Sequence, residues 1–284
     1  MESNKIFKKL DRMEQLPTLP AIAMEVNKML QDYETSIKDL ALVIEKDQAM
    51  VPKILKLVNS SFFGFQSKVS SLSHAIMLLG FNTVRNAVVS VSIIKAFSIK
   101  DGLEGFDITE LWTHSVGVAT ISRYLAEKIR CQFLEDAFTG GLLHDIGKII
   151  LVQSFPDLFK KVWMAAKENN LSFYEAEEKE LSINHARIGG YLAKKWKLPQ
   201  DLVDVIQYHH KVRKSIQNPE LLMVVHVADI IMNSYMNGLL TEIDLSVIYP
   251  DAREIMKSEL ETMTDWFPGV LEDINSACQF FLKE

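Results

Sequence analysis

"TGGLLHDIGKIIL", residues 139–151, sets a histidine, an aspartate and a lysine inside one of the most apolar stretches of the chain, just after two glycines. Polar groups withdrawn from water carry a free-energy penalty unless something satisfies them. What His144 and Asp145 face therefore bears on how the helices around them must be arranged.

Outward from this stretch, the 284 residues contain only 12 glycines and 8 prolines, and between these breaks the apolar residues recur at three and four. That is the period of an amphipathic helix, and it predicts an all-α, multi-helix bundle. Ile22, Val26, Met29 and Leu30 form one stripe. Ile37, Leu40, Ala41 and Ile44 form a second behind a Ser36 cap, and Ile54, Leu57 and Val58 follow Pro52. "SLSHAIMLLG" reads as a short helix closed by Gly80. "NTVRNAVVSVSIIKAF" is rich in β-branched residues, but its length of 16, an Asn82 cap and its helical neighbours favour a buried helix over a strand. "IKDGLEGFD", residues 99–107, has no periodicity. It suggests a joint near residue 103 between an N-terminal helical part, 1–102, and a second helical part, 103–284.

Beyond the joint, Asp107 is expected to open a helix to about Ile129, and Ser172 with Glu175 to form a capping box. Pro199 is expected in a first turn, and Pro219 to open a helix to about Asn237. "YPDAREIMKSEL" and "GVLEDINSACQFFL" read as the cores of two closing helices.

Composition narrows the function. A formal net charge of −6 leaves no basic excess for a phosphate backbone, so nucleic acid is not expected as the principal partner. The charged N-terminus "MESNKIFKKLDRMEQL" lacks the apolar core of a signal peptide. With no apolar run near the roughly 20 residues of a spanning helix, the sequence points to a cytoplasmic protein without a membrane partner. Cys131 and Cys278 stand far apart and suggest neither a disulfide framework nor a thiolate metal site; they read as buried, inert thiols.

The second part repeats one oddity. His114 falls on the stripe of Leu111, Val118, Ile121 and Leu125, and His185 on that of Ile188 and Leu192. His209 continues Leu202 and Ile206, with His210 beside it, and Asp229 lies in line with Leu222, Val225 and Met232. A lone histidine on such a face is ordinarily a core residue bonded to a backbone carbonyl. Five helices offering imidazoles and carboxylates to one interior point instead to a shared cation, because uncompensated buried carboxylates cost roughly several kcal/mol each. The donors are nitrogen and oxygen without sulfur, which suits one or two divalent ions, iron or manganese ahead of magnesium, zinc or nickel. Neighbours on a helix diverge by about 100°, so His144 and Asp145 can serve one centre at a helix end.

These residues resemble the HD-type metal-dependent phosphohydrolases, named for the adjacent His-Asp found here as His144-Asp145. The superfamily's minimal pattern of His, His-Asp and a later Asp matches His114, His144, Asp145 and Asp229. Its two-metal branch, which includes the HD-GYP phosphodiesterases, adds ligands that match His185, His209 and His210. "HDIGK" is present letter for letter, and the resemblance implies that Asp145 bridges two ions. "LPTLP" (16–20), "VIEKDQAMVPKILKLVNSSFFG" (43–64) and "SLSHAIMLLGFNTVRNAVV" (71–89) are similar to the HDOD domain, an HD-related output domain of bacterial signalling proteins. That likeness implies a regulatory module that contacts another, unidentified signalling protein, since many HDOD domains have lost HD ligands. This chain keeps them all, so a phosphohydrolase or phosphodiesterase acting on a nucleotide or cyclic dinucleotide is the alternative, with Asp145 and Lys148 as its candidate catalytic residues. The Gly-Tyr-Pro segment is missing and "HHK" replaces "HHE", which argues against hydrolysis of cyclic di-GMP. An iron site acting as an oxygen or redox sensor is a third reading.

Smaller features have plainer readings. Lys148 either binds phosphate or caps the end of the "LLHDIGK" helix. His226 either orients Asp229 or bonds a carbonyl. His74 is read as structural, "YEAEEKE" (174–180) as a solvated helix face, and Phe62, Phe63 and Phe65 as core. The oligomeric state is left open.

Overall fold

A computed structural model describes residues 20–29, 35–47, 50–59, 68–97, 106–181 and 183–282. Residues 16–19 of "LPTLP", Leu30, the side chain of Leu57, the three phenylalanines near Gly64 and the joint at 99–105 lie outside these. The described residues form sixteen α-helices, two short 3-10 turns and no strand.

The first five are α1 (Ala21–Met29), α2 (Ile37–Glu45), α3 (Met50–Val58), α4 (Leu72–Leu79) and α5 (Phe81–Ala96). Ser36 and Asp39 start α2 with a capping box, which satisfies two of the free N–H groups at the helix start. Gly80 ends α4 at φ +81°, a conformation that side chains other than glycine's resist, and its N–H bonds the Ile76 carbonyl. The same Gly80 occupies the N-cap of α5, so Asn82 lies inside the first turn and supplies no cap. The β-branched run is helical because both of its faces are covered: every residue from Thr83 to Ile94 is buried.

The rest are α6 (Ile108–Lys128), α7 (Leu134–Leu143), α8 (Ile146–Ser154), α9 (Pro156–Asn169), α10 (Phe173–Glu180), α11 (His185–Lys195), α12 (Gln200–Tyr208), α13 (Pro219–Met236), α14 (Pro250–Ile255), α15 (Lys257–Glu261) and α16 (Met263–Phe281). Asp107 caps α6 and the Ser172–Glu175 box caps α10. Pro199 stands at the N-cap of α12, one residue ahead of the first turn. The end of the chain has three helices where two are expected. A break at Met256 divides the first core, a second at Thr262 separates α15 from α16, and α16 carries Pro268 inside its first two turns, where few intrahelical bonds are lost.

Helix α6 is the axis, packed by α7, α13 and α16. Helix α11 lies on α8 and α12. Three apolar clusters form the core. One belongs to α1–α5 and one to α6, α13 and the closing helices; the third joins Val89, Ile93 and Phe97 to residues of α6–α12. A partly buried polar contact also joins α5 to α7. Arg85 and Asn86 on α5 both reach Asp136 Oδ1 on α7, at 3.3 and 3.0 Å. No single helix among the described residues is long and apolar enough to cross a membrane.

Candidate metal centre

The opening stretch is two helices. Helix α7 stops at Leu143 and α8 starts at Ile146, so His144 is the C-cap of one and Asp145 the N-cap of the next. The turn between them brings side chains that would diverge on a continuous helix to one place. Close backbone approach makes this possible. A Cβ on Gly147 would lie 2.0 Å from the carbonyl oxygen of His185, and one on Gly141 would lie 2.7 Å from Cα of Ala119. His185 is the first residue of α11, His209 the C-cap of α12, and His114 and Asp229 sit within α6 and α13.

All seven residues singled out as ligands meet, in two groups. His114, His144 and Asp229 form the first; Asp145, His185, His209 and His210 form the second. The carboxylate of Asp145 faces both. Its Oδ1 is 3.1 Å from His185 Nε2 and 3.8 Å from His209 Nε2, while Oδ2 is 3.4 Å from His144 Nε2 and 3.7 Å from His114 Nε2. Asp229 Oδ1 lies 3.0 Å from His114 Nε2 and 3.5 Å from His144 Nε2, and also accepts from Asn233.

The ring nitrogens show what the groups can hold. His144 Nδ1 donates to the Gly141 carbonyl (2.6 Å) and His209 Nδ1 to that of Ile206 (3.0 Å). His185 Nδ1 donates to the Glu177 carboxylate (2.5 Å). With those protons so used, the Nε2 atoms carry lone pairs in the neutral rings. His185 Nε2 and His209 Nε2 nevertheless stand 3.3 Å apart, and His210 Nε2 is 3.0 Å from His185 Nε2. Buried His144 Nε2 and Asp145 Oδ1 have no hydrogen-bond partner. Converging lone pairs and an orphaned carboxylate oxygen fit divalent cations, which accept electrons from both donor types.

Electrostatics agree. Burial disfavours the charged carboxylate of Asp145, but His144, Lys148 and His185 outweigh it and hold the acid well below the usual range. Asp229 is held low likewise, against its burial, by the bond from His114 and the nearby His144 imidazole. Burial and the neighbouring imidazoles keep His209 and His210 well below their ordinary values, hence neutral. Burial also opposes the charge on His144, yet Asp145 and Asp229 lift it to about 10. Without an ion, a proton on His144 and the Lys148 ammonium provide the positive charge that two carboxylates demand.

Lys148 sits in the first turn of α8, not at a helix C-terminus, and its Nζ is 2.6 Å from Asp145 Oδ2. Of the two readings of His226, the carbonyl one holds: Nδ1 donates to the His209 carbonyl (2.7 Å) and Nε2 accepts from the Tyr249 N–H (3.2 Å). It thereby fixes the backbone carrying His209 and His210. His74 is exposed on α4, away from the centre. The acidic run 174–180 is not uniformly solvated. Glu177 is fully buried and bonded to His185, and the sequence reading missed it. The available signal was its place beside Ala176 and one turn after Phe173, on the apolar side of α10.

Six of the seven residues are buried; only His210 is partly open, and the Tyr174 ring covers it at 4.2 Å between centroids. Beyond Tyr174 opens a polar cleft of about 400 Å³, lined among others by Arg187, Tyr208, Lys211 and Arg213.

Comparison with known proteins gives the class. The HDOD domain model matches residues 16–212, and the chain belongs to that family. An uncharacterised protein of Treponema pallidum (strain Nichols) is 27% identical over 203 residues, 71% of this chain; the match takes in 39% of that relative's length. The crystal structure of an HDOD domain protein of unknown function from Geobacter sulfurreducens superposes with a TM-score of 0.79 at 24% identity, covering 97% of this chain and 96% of the other. A structure from Shewanella amazonensis named "Putative phosphohydrolase" gives 0.72 at 23%, covering 95% and 96%. The structural likenesses establish a shared all-α fold.

Proposed function

We propose that the chain is a cytoplasmic regulatory module of bacterial signalling, whose His/Asp centre takes up two divalent ions, iron or manganese, and whose output is contact with a partner protein. His114, His144 and Asp229 would hold one ion and His185, His209 and His210 the other, with Asp145, whose oxygens face both groups, serving both. The observation that carries a regulatory over a catalytic role is closure. The ligands are buried and the one open imidazole lies under Tyr174, so a substrate has no direct path to the ions. Ions so enclosed tie α6, α7, α8, α11, α12 and α13 together. Exposed Met24, Leu42, Met77 and Leu78 on the N-terminal helices supply apolar surface for a partner.

The test is a hydrolysis panel of phosphomonoesters, nucleotides and cyclic dinucleotides, with metal loaded, beside Asp145→Ala. No turnover above the variant is expected; turnover that Asp145→Ala abolishes would overturn the regulatory reading.

A second reading, a metal-dependent phosphohydrolase, is favoured by the cleft with its three cations next to Tyr174. Bound ions supply charge that polarises a phosphoryl oxygen. Arg187, Lys211 and Arg213 would hold a phosphorylated substrate at the mouth, and Lys148 would keep Asp145 ionised. The same panel decides it.

A further inference from the structure

Glu177 is a fully buried acid outside both donor groups, and both of its oxygens are committed to one residue. Oε1 accepts from the backbone N–H of His185 at 2.9 Å and Oε2 from its ring Nδ1 at 2.5 Å. His185 is the first residue of α11, where the backbone N–H has no intrahelical acceptor, so the first contact fixes the helix start. The second fixes the ring. The rings of Phe173 and Tyr174, each with its centroid 6.2 Å from that of His185, offer Nδ1 no acceptor.

We propose that Glu177 is a positioning residue: it holds His185 in the tautomer whose Nε2 lone pair faces Asp145, His209 and His210, and so makes the second donor group competent to bind its ion. With Oε1 accepting from the backbone N–H and Oε2 2.5 Å from the ring, the carboxylate that accepts at both oxygens leaves the ring proton on Nδ1. A carboxylate behind an imidazole also makes it a stronger donor than a carbonyl does. His144 and His209 have carbonyls in that place, which leaves the two groups unequally tuned. Helix α10 delivers the acid, with its start fixed by the Ser172–Glu175 box.

The inference rests on the metal reading of the centre, and one substitution separates the two. Glu177→Gln conserves size but replaces an acceptor with an N–H₂ donor. If its carbonyl keeps the backbone N–H, the amide donates to Nδ1 and drives the ring proton to Nε2, where it blocks coordination. Manganese titration of the metal-free protein, with folding checked by circular dichroism, should show about two ions in the wild type. In Glu177→Gln the first affinity should be unchanged and the second weaker by about tenfold or more. The ¹⁵N shifts of His185 in metal-free protein, recorded at a pH where the ring is neutral, should report the proton on Nδ1 in the wild type and on Nε2 in the variant. Equal affinities for both ions in the two proteins, or a wild-type His185 whose neutral ring carries its proton on Nε2, would overturn the proposal. A wild type that takes up no manganese would sink the metal reading instead, and the ring shifts would still decide the role of Glu177. If the variant does not fold, the wild-type tautomer alone decides.

Discussion

At the scale of single residues, Asp145 is where the two donor groups meet, since each of its oxygens faces one of them. Asp145→Ala should therefore lose metal from both groups, whereas His114→Ala should weaken only the first; elemental analysis after dialysis distinguishes the two patterns. The thiols make a separate case. Burial pushes Cys278 up to about 11, and Cys131 is raised by burial as well. Only a thiolate is nucleophilic, and at pH 8 about one Cys278 in a thousand carries it, so alkylation by iodoacetamide should run about a hundredfold slower than for a free cysteine. The rate should rise about tenfold per pH unit until about pH 11. Cys131 is buried and Cys278 only partly so, and a rate equal to that of the unfolded chain at pH 8 would contradict the partial burial of Cys278.

At the scale of elements, the centre depends on helices that approach more closely than side chains permit. A Cβ at position 147 meets the His185 carbonyl at 2.0 Å, and backbone cannot move aside as a flexible side chain can. Gly147→Ala should cost about 2 kcal/mol or more of unfolding free energy in urea and should lower metal uptake, because α8 and α11 must separate. Gly269 in α16 is the control: a Cβ there meets nothing within 4 Å. Gly269→Ala should stabilise by about 0.5–1 kcal/mol, through the better helix propensity of alanine. Equal effects at the two positions would contradict the packing described here.

For the whole molecule, ions that bind only the folded chain stabilise it by mass action. Manganese at a hundred times its dissociation constant adds about 2.7 kcal/mol per site. The melting temperature should rise with manganese and fall with chelator, and Asp145→Ala should abolish the difference. The contact of Arg85 and Asn86 with Asp136 links α5 to α7, the helix that ends at His144. Asp136→Ala removes the counter-charge of the buried guanidinium and leaves it Asn86 alone, and should cost about 3 kcal/mol. A cost below about 0.5 kcal/mol would show that Arg85 finds water or another partner.

The sequence alone determined the helices and the faces they bury, because a 3.6-residue period and local caps such as Ser36, Asp107 and Ser172 act within a few residues. It also marked His114, His144, Asp145, His185, His209, His210 and Asp229 as inward-facing, since each lies on or beside an apolar stripe. Tertiary structure decided what periodicity cannot carry: the sorting into two groups, the turn between His144 and Asp145, and the place of Lys148 in a first turn. It also decided the burial of Glu177 inside a run that reads as solvated. Charge pattern records only what neighbours along the chain are, while the partner that makes a buried carboxylate affordable comes from another helix, eight residues on and across a turn.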